Sequence, residues 1–331
     1  MVKFLVVRFS SIGDIVLTTP VIRCLKQQVE GAEVHFLTKK QFYPVIKSNP
    51  YIDKIYQLDG NFGSLIKQLK QEEYHYIIDL HHNLRTLRLK QALRVLSFSF
   101  DKLNFKKWLL VKFKINKLPD THIVDRYLQT VSLFDVENDG RGLEYFIPEE
   151  EEISLSTLPE EYGKGYVAVV VGAKHFTKQI PDVKLAEICN RLDLPVLLMG
   201  GKEDFQRAEI VKKQCHKPVL NICGKYSINQ SASLIRQAAL VITPDTGLMH
   251  IAAAFKKKII SVWGNTVPEF GMYPYHPHPS SVIFEVNGLK CRPCSKIGYS
   301  KCPKKHFRCM NEIDFVSVVK SAALLIDAKS N

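Results

Sequence analysis

Residues 3–7 are a β-branched and aromatic run that ends in Arg8-Phe9-Ser10-Ser11-Ile12-Gly13-Asp14, and residues 15–29 then carry apolar side chains at helical spacing. That change of period predicts a strand, a tight turn and a helix. Residues 34–37 and 77–80 read as further buried strands, each bracketed by helical segments. The pattern restarts in the second half, with strands expected at 166–171, 195–199, 240–243 and 259–263 and helices at 183–192, 205–215, 231–239 and 248–255. An amphipathic helix over 313–327 is expected to close the chain and cross back onto the first half. Strands alternating with helices imply parallel sheets.

Between the two patterns, Pro148-Glu149-Glu150-Glu151-Glu152 and Leu158-Pro159-Glu160-Glu161-Tyr162-Gly163-Lys164-Gly165 show neither period. The domain boundary is placed there, giving halves of 1–155 and 156–331. The expected fold class is α/β, two doubly wound Rossmann-like domains facing across a cleft, with ligands at the carboxyl ends of the strands.

The chain has 331 residues, 46% hydrophobic and 24% charged, which excludes a disordered or collagen-like protein. Lys and Arg outnumber Asp and Glu by 46 to 33, so the surface attracts anions: nucleic acid, anionic lipid or phosphorylated substrates. No recognisable nucleic-acid module accompanies the charge, and a nucleic-acid partner is not expected. The N-terminus lacks a signal-peptide core, and no run approaches the ~20 apolar residues of a membrane span. A cytoplasmic protein with mostly reduced cysteines is expected.

Between residues 82 and 118 there are ten Lys or Arg and one acid, interleaved with Phe98, Phe100, Phe105, Trp108 and Phe113. This stretch suits an anionic membrane surface or a phosphorylated glycolipid. It equally suits amphipathic helices packed on their own domain.

Two constellations carry candidate chemistry. Ser11, Gly13 and Asp14 place small residues and one carboxylate at a helix start, with Ser11 and Gly13 expected to bind the donor and Asp14 serving either as a cap or as a functional acid. The required glycines of a dinucleotide fingerprint and the Lys-Ser/Thr of a Walker loop are absent there. The run Thr243-Pro244-Asp245-Thr246-Gly247-Leu248-Met249-His250 follows a strand and opens a helix. Asp245 or Thr246 would cap that helix, Gly247 would admit a ligand to the backbone, and a diphosphate would suit its positive end. His250 taken alone is a packed core histidine. Asp79, His82 and Arg85 fall at the end of a strand, as acceptor contacts or as solvated loop residues.

These segments resemble glycosyltransferase family 9, the lipopolysaccharide heptosyltransferases. The matching pieces are residues 8–20, Ile77-Ile78-Asp79-Leu80-His81-His82-Asn83-Leu84-Arg85, Thr177-Lys178-Gln179-Ile180-Pro181, and the run from Asp245 to Ala254. The resemblance implies a GT-B architecture with an acceptor-binding first domain and a second domain holding a nucleotide-sugar, typically ADP-heptose. It further implies inverting transfer without a catalytic metal or other cofactor, to a phosphorylated lipopolysaccharide inner-core acceptor at the inner face of the inner membrane. Position by position, Asp14 resembles the general base and Lys178 the cation at the donor phosphates, with Thr177 beside it as a hydroxyl donor. Asp245, Thr246, Gly247 and His250 resemble the donor-binding loop. The family has an acid for the ribose near residues 199–204; Lys202 departs from that pattern, and Glu203 is the acid carried over. The alternatives are a catalytically silent sugar-nucleotide-binding protein and a basic nucleic-acid-binding protein.

Cys291, Cys294, Cys302 and Cys309 cluster near His306. Their number and first spacing suit a structural zinc, while reduced thiols or a disulfide account for them as well.

Overall fold

A computed structural model describes residues 1–327; Asn331, the expected end of the second half, lies outside the described residues. The chain divides into two α/β units.

The first unit is built on β1 (Val2–Val7), β2 (Ala32–Lys39), β3 (Lys54–Leu58), β4 (Tyr76–Asp79) and β5 (Leu96–Ser99), with α1 (Ile12–Val16), α2 (Thr19–Gln28), α3 (Phe62–Lys70) and α4 (Leu84–Leu93) between them. α5 (Asn104–Phe113) belongs to the second unit, and α6 (Ile123–Leu128) completes the first. The strand order is β3-β2-β1-β4-β5, all parallel. β1 is central, and its last four residues are buried on both faces, which is why it reads as a continuous apolar run. One core layer joins Leu5, Val7 and Ile77 to Leu65, Leu69 and Leu89 of the helices.

The single helix expected over 15–29 is two. Thr18 and Thr19 hydroxyls donate to the carbonyls of Ile15 and Val16, and Pro20, in the first turn of α2, has no amide to continue the ladder.

The second unit contains β6 (Val167–Val170), α7 (Asp182–Arg191), β7 (Val196–Met199), α8 (Phe205–Lys213), β8 (Val219–Asn221), α9 (Ile228–Gln237), β9 (Leu240–Pro244), α10 (Gly247–Ala254), β10 (Ile259–Trp263), β11 (Val282–Glu285), α11 (Arg308–Asn311) and α12 (Phe315–Asp327). Its sheet is parallel in the order β11-β10-β9-β6-β7-β8. α12 buries Phe315, Val318, Ala322 and Leu325 in the core of the second unit.

The division departs from 1–155 and 156–331 in two places. The first unit comprises Met1–Leu103 and Thr121–Phe146; the second comprises Asn104–Asp120 and the chain from Ile147 onward. Buried Arg23 explains the first limit, since it pairs with Asp139 at 2.7 Å and Glu144 at 2.8 Å and ties that segment to α2. The acidic run after Pro148 is clamped to α9: Glu151 accepts from Asn229, and Glu152 accepts from Ser233 and Arg236. In α5, Leu110 packs on Val267 and Phe270 of the second unit.

Each sheet has a point where the chain reverses its direction of strand addition, between β1 and β4 in the first unit and between β6 and β9 in the second. Carboxyl ends of strands at such points are where open α/β sheets bind ligands.

Candidate functional site

At the first reversal point, Val7 of β1 pairs with Asp79 of β4 in register. Arg8 follows β1 and is 8% exposed. Its guanidinium donates to the Leu80 carbonyl, to Tyr127 Oη at 2.9 Å and to Ser10 O at 2.8 Å, and it pairs with Asp14 Oδ1 at 2.5 Å. Burial acts to lower the Arg8 pKa, but Asp14, Tyr127 and Asp79 outweigh it, and the net shift is upward. Arg8 is a permanent cation under the turn.

Asp14 Oδ2 accepts from the Ser11 amide at 3.0 Å and the Ser11 hydroxyl at 2.6 Å. Asp14 is thus both a capping carboxylate of α1 and the partner of a buried cation, and 19% of its side chain remains exposed. Ser11 directs both polar groups at Asp14, and Gly13 is buried. Neither offers an anion a free turn of helix.

Asp79 is fully buried, so it organises the loop rather than meeting an acceptor. Its carboxylate accepts from the amides of His81 and His82 and pairs with Lys90 at 3.1 Å. His82 is exposed, with Nδ1 3.0 Å from the Phe100 carbonyl. Arg85 is exposed too, and its guanidinium lies 5.7 Å from the Phe9 ring centroid.

Sequence reasoning missed His81. Its ring meets Phe9 edge-on at 5.2 Å, and its buried Nδ1 has no hydrogen-bond partner. Burial and then the Arg8 charge lower its pKa to about 4. Arg8 and Tyr127 were missed as well, because an arginine after a strand and a tyrosine 119 residues on give no joint signal.

At the second reversal point, the loop after β6 brings Lys178 to the loop after β9. Lys178 Nζ lies 2.5 Å from Asp245 Oδ2, which also accepts from Thr266 Oγ1 at 2.9 Å. Asp245 is therefore committed to Lys178 and Thr266 and does not cap α10. Thr246 occupies the N-cap but makes no side-chain bond to the first turn; its hydroxyl sits 3.2 Å from that of Thr243. The expected cap is absent at both positions, which leaves the positive end of α10 available to an anion beside a lysine. Gly247 is half-buried at this end, and His250 is buried one turn along.

Thr177 is buried, and its hydroxyl exchanges bonds with the Tyr299 backbone, accepting from the amide at 2.8 Å. It fixes the lysine loop and is not a free donor. Glu203 is exposed in the turn after β7, whereas neighbouring Asp204 is buried and accepts from the Gly201 amide at 2.8 Å. Burial raises the Asp204 pKa. A Cβ on Gly172 would lie 1.8 Å from the Asp204 carboxylate, so this acid fills the place a side chain would take.

The cysteine cluster does not support the expected structural zinc. Cys291, Cys294, Cys302 and Cys309 line one cavity of about 20 Å³ with His306 and Asn265, and all four are free thiols. Among the described residues, however, no three of these sulfurs converge as ligands; the only convergent group of that kind is Glu33, His35 and Glu72. That group already holds its own cations, because Glu72 accepts from Lys3, Lys54 and Tyr56, and His35 lies 2.8 Å from both Tyr74 Oη and Glu33.

Comparison with known proteins agrees with this architecture. Residues 62–304 match the model of glycosyltransferase family 9 (heptosyltransferase). The lipopolysaccharide heptosyltransferase 1 of Campylobacter coli is 24% identical over 288 residues, 80% of this chain and 84% of that protein. Among solved structures, a family 9 glycosyltransferase from Veillonella parvula superposes with a TM-score of 0.76 at 20% identity, covering 98% of this chain and 97% of that one. The E. coli ADP-heptose lipopolysaccharide heptosyltransferase II gives 0.72 at 17% identity, with 98% of both chains covered.

Proposed function

The chain belongs to glycosyltransferase family 9, with two Rossmann-like units of GT-B type, and we propose from that premise that it transfers a heptose from ADP-heptose to a lipopolysaccharide inner-core acceptor. The observation that carries the proposal is Lys178 held by Asp245 beside the uncapped start of α10, at the carboxyl end of β9. A ligand with two adjacent phosphates suits a cation next to free helix amides. The ADP-heptose named for the E. coli relative is such a ligand.

In the proposed reaction an acceptor hydroxyl bound by the first unit attacks the anomeric carbon of the donor. Asp14 takes the hydroxyl proton as the new C–O bond forms, and the bond to the diphosphate breaks with inversion. General-base help of this kind is worth roughly 10²–10⁴ in rate. Charge accumulating on the departing ADP is met by the Lys178 ammonium and the first-turn amides of α10, with the positive charge already in place before the reaction. Arg8, paired with one Asp14 oxygen, orients the carboxylate. His82 and Arg85 are exposed at the acceptor end and are proposed acceptor contacts, and Glu203 is the proposed ribose contact. No metal is assigned a step. Among the described residues no helix is long and apolar enough to cross a membrane. The proposed workplace is the cytoplasmic face of the inner membrane, where the glycolipid acceptor resides.

The test is ADP release from ADP-heptose with a deacylated inner-core acceptor, with and without EDTA, in parallel with donor binding by calorimetry. Asp14→Ala is expected to lower turnover at least 100-fold while donor Kd changes less than threefold. Donor binding without ADP release in the unsubstituted protein would identify a silent binder, and absence of ADP-sugar binding would refute the proposal.

A further inference from the structure

α5 carries apolar residues on two faces. Toward the second unit, Leu110 is buried with Val267 and Phe270, and Val111 packs beside it. On the opposite face Phe105 is 68% exposed, Trp108 47% and Phe113 55%. Phe105 stacks on Trp108 at 5.9 Å, and Trp108 meets Phe113 edge-on at 5.2 Å, so the three form one outward-facing aromatic cluster. With Leu109, these positions follow the i, i+3, i+4, i+8 spacing that ordinarily marks the buried side of a helix. Here that side is turned to solvent.

The surroundings say what covers it. Residues 102–119 contain six lysines and no acid, and Lys106, Lys112 and Lys117, on α5 and just after it, are exposed. A second copy of this chain docking through the same face would bring like charges together. A surface that is apolar to ring depth and anionic at its rim is complementary. An aromatic face fringed by lysine is the composition of a helix lying in a membrane interface, with rings at the acyl boundary and ammonium groups at the phosphates.

We propose that the outer face of α5, through Phe105, Trp108 and Phe113, is a membrane anchor for an anionic lipid bilayer. This deepens the proposed membrane workplace by naming the contact, and it does not depend on the sugar transferred.

The chain has two tryptophans, and Trp263 is fully buried, so a lipid-induced change in emission reports Trp108. The full-length protein is titrated with vesicles of phosphatidylglycerol and phosphatidylethanolamine, and separately with phosphatidylcholine alone. The expected result is a blue shift and quenching by bromine-labelled acyl chains with the anionic vesicles only. In co-sedimentation, Phe105→Ser/Trp108→Ser/Phe113→Ser is expected to bind anionic vesicles at least tenfold more weakly. The same variant should keep its melting temperature and its donor affinity, since these side chains lie outside the core.

Unshifted Trp108 emission, equal binding to neutral vesicles, or sedimentation unaffected by the triple substitution would overturn the proposal. So would a shift produced by self-association or by single-stranded oligonucleotide in place of lipid. Vesicle binding in a protein that fails to bind ADP-heptose would leave the anchor standing and remove the transferase proposal alone.

Discussion

Lys178 and Asp245, 67 residues apart in the chain, meet at 2.5 Å where strand addition reverses between β6 and β9. The carboxylate fixes one ammonium proton and, through Thr266, is itself fixed.

The pair should act as one unit. Lys178→Ala and Asp245→Ala are each expected to weaken ADP binding about tenfold, with the double variant little worse than either single one, as residues in direct contact couple by 0.5–3 kcal/mol. Calorimetric titration of the four proteins with ADP measures the cycle. Strictly additive losses would separate the two residues.

Gly264 supports the lysine loop by having no side chain. A Cβ there would lie 2.6 Å from the Thr177 carbonyl and 2.7 Å from Met310. Gly264→Ala is therefore expected to cost about 1–3 kcal/mol of stability through overpacking and to weaken ADP binding by moving residues 177–178. Thermal unfolding with and without ADP reads both effects, and an unchanged melting temperature contradicts the packing argument.

His81 makes stability depend on pH. Burial and the Arg8 charge lower its folded pKa to about 4, below the ordinary histidine value near 6.5. Between those values the unfolded chain binds the proton and the folded chain does not, so stability falls as pH drops from about 6.5 toward 4. His81→Gln should flatten this part of the profile. Melting temperatures at pH 7, 6, 5 and 4.5 test it, and parallel profiles for the two proteins would remove His81 as a contributor. Buried His35, elsewhere in the same unit, is also shifted down, first by its own burial, so a residual slope is expected.

The thiols near the C-terminus should differ in reactivity. Cys309 is buried and its pKa is pushed up to about 12, first by burial and then by Cys294. Cys291 and Cys302 are more exposed. Maleimide labelling followed by peptide mass mapping is expected to modify Cys291 and Cys302 before Cys309, because the thiolate is the reactive species. Simultaneous loss of all four thiols on adding zinc would instead reveal a metal site that the sulfur positions do not show.

Local pattern was sufficient for much of the fold. The central strands β1, β4, β6, β7, β9 and β10 lie where continuous apolar runs placed them, since strands buried on both faces have no other composition available. The edge strands β3, β5, β8 and β11 are short or part-polar and gave no comparable signal. The motifs around Asp14 and Asp245 were also legible, because small residues, a charge and a helix start lie within a few positions of one another, whereas Lys178 stood out mainly through the family resemblance. What those groups do to each other was not. That Asp79 is sealed under a loop, that Thr177 turns inward to Tyr299, and that Arg8 lies beneath Asp14 all depend on contacts between distant segments.

The amino-acid order determined the alternation of strand and helix, the parallel sheets and the family, because these rest on periods and short motifs that each segment carries by itself. Tertiary packing decided which charges are paired, which acids are buried and which face of α5 is left uncovered. Those properties belong to the space between segments, where burial and proximity set the energy of a charge and no single stretch of chain specifies either.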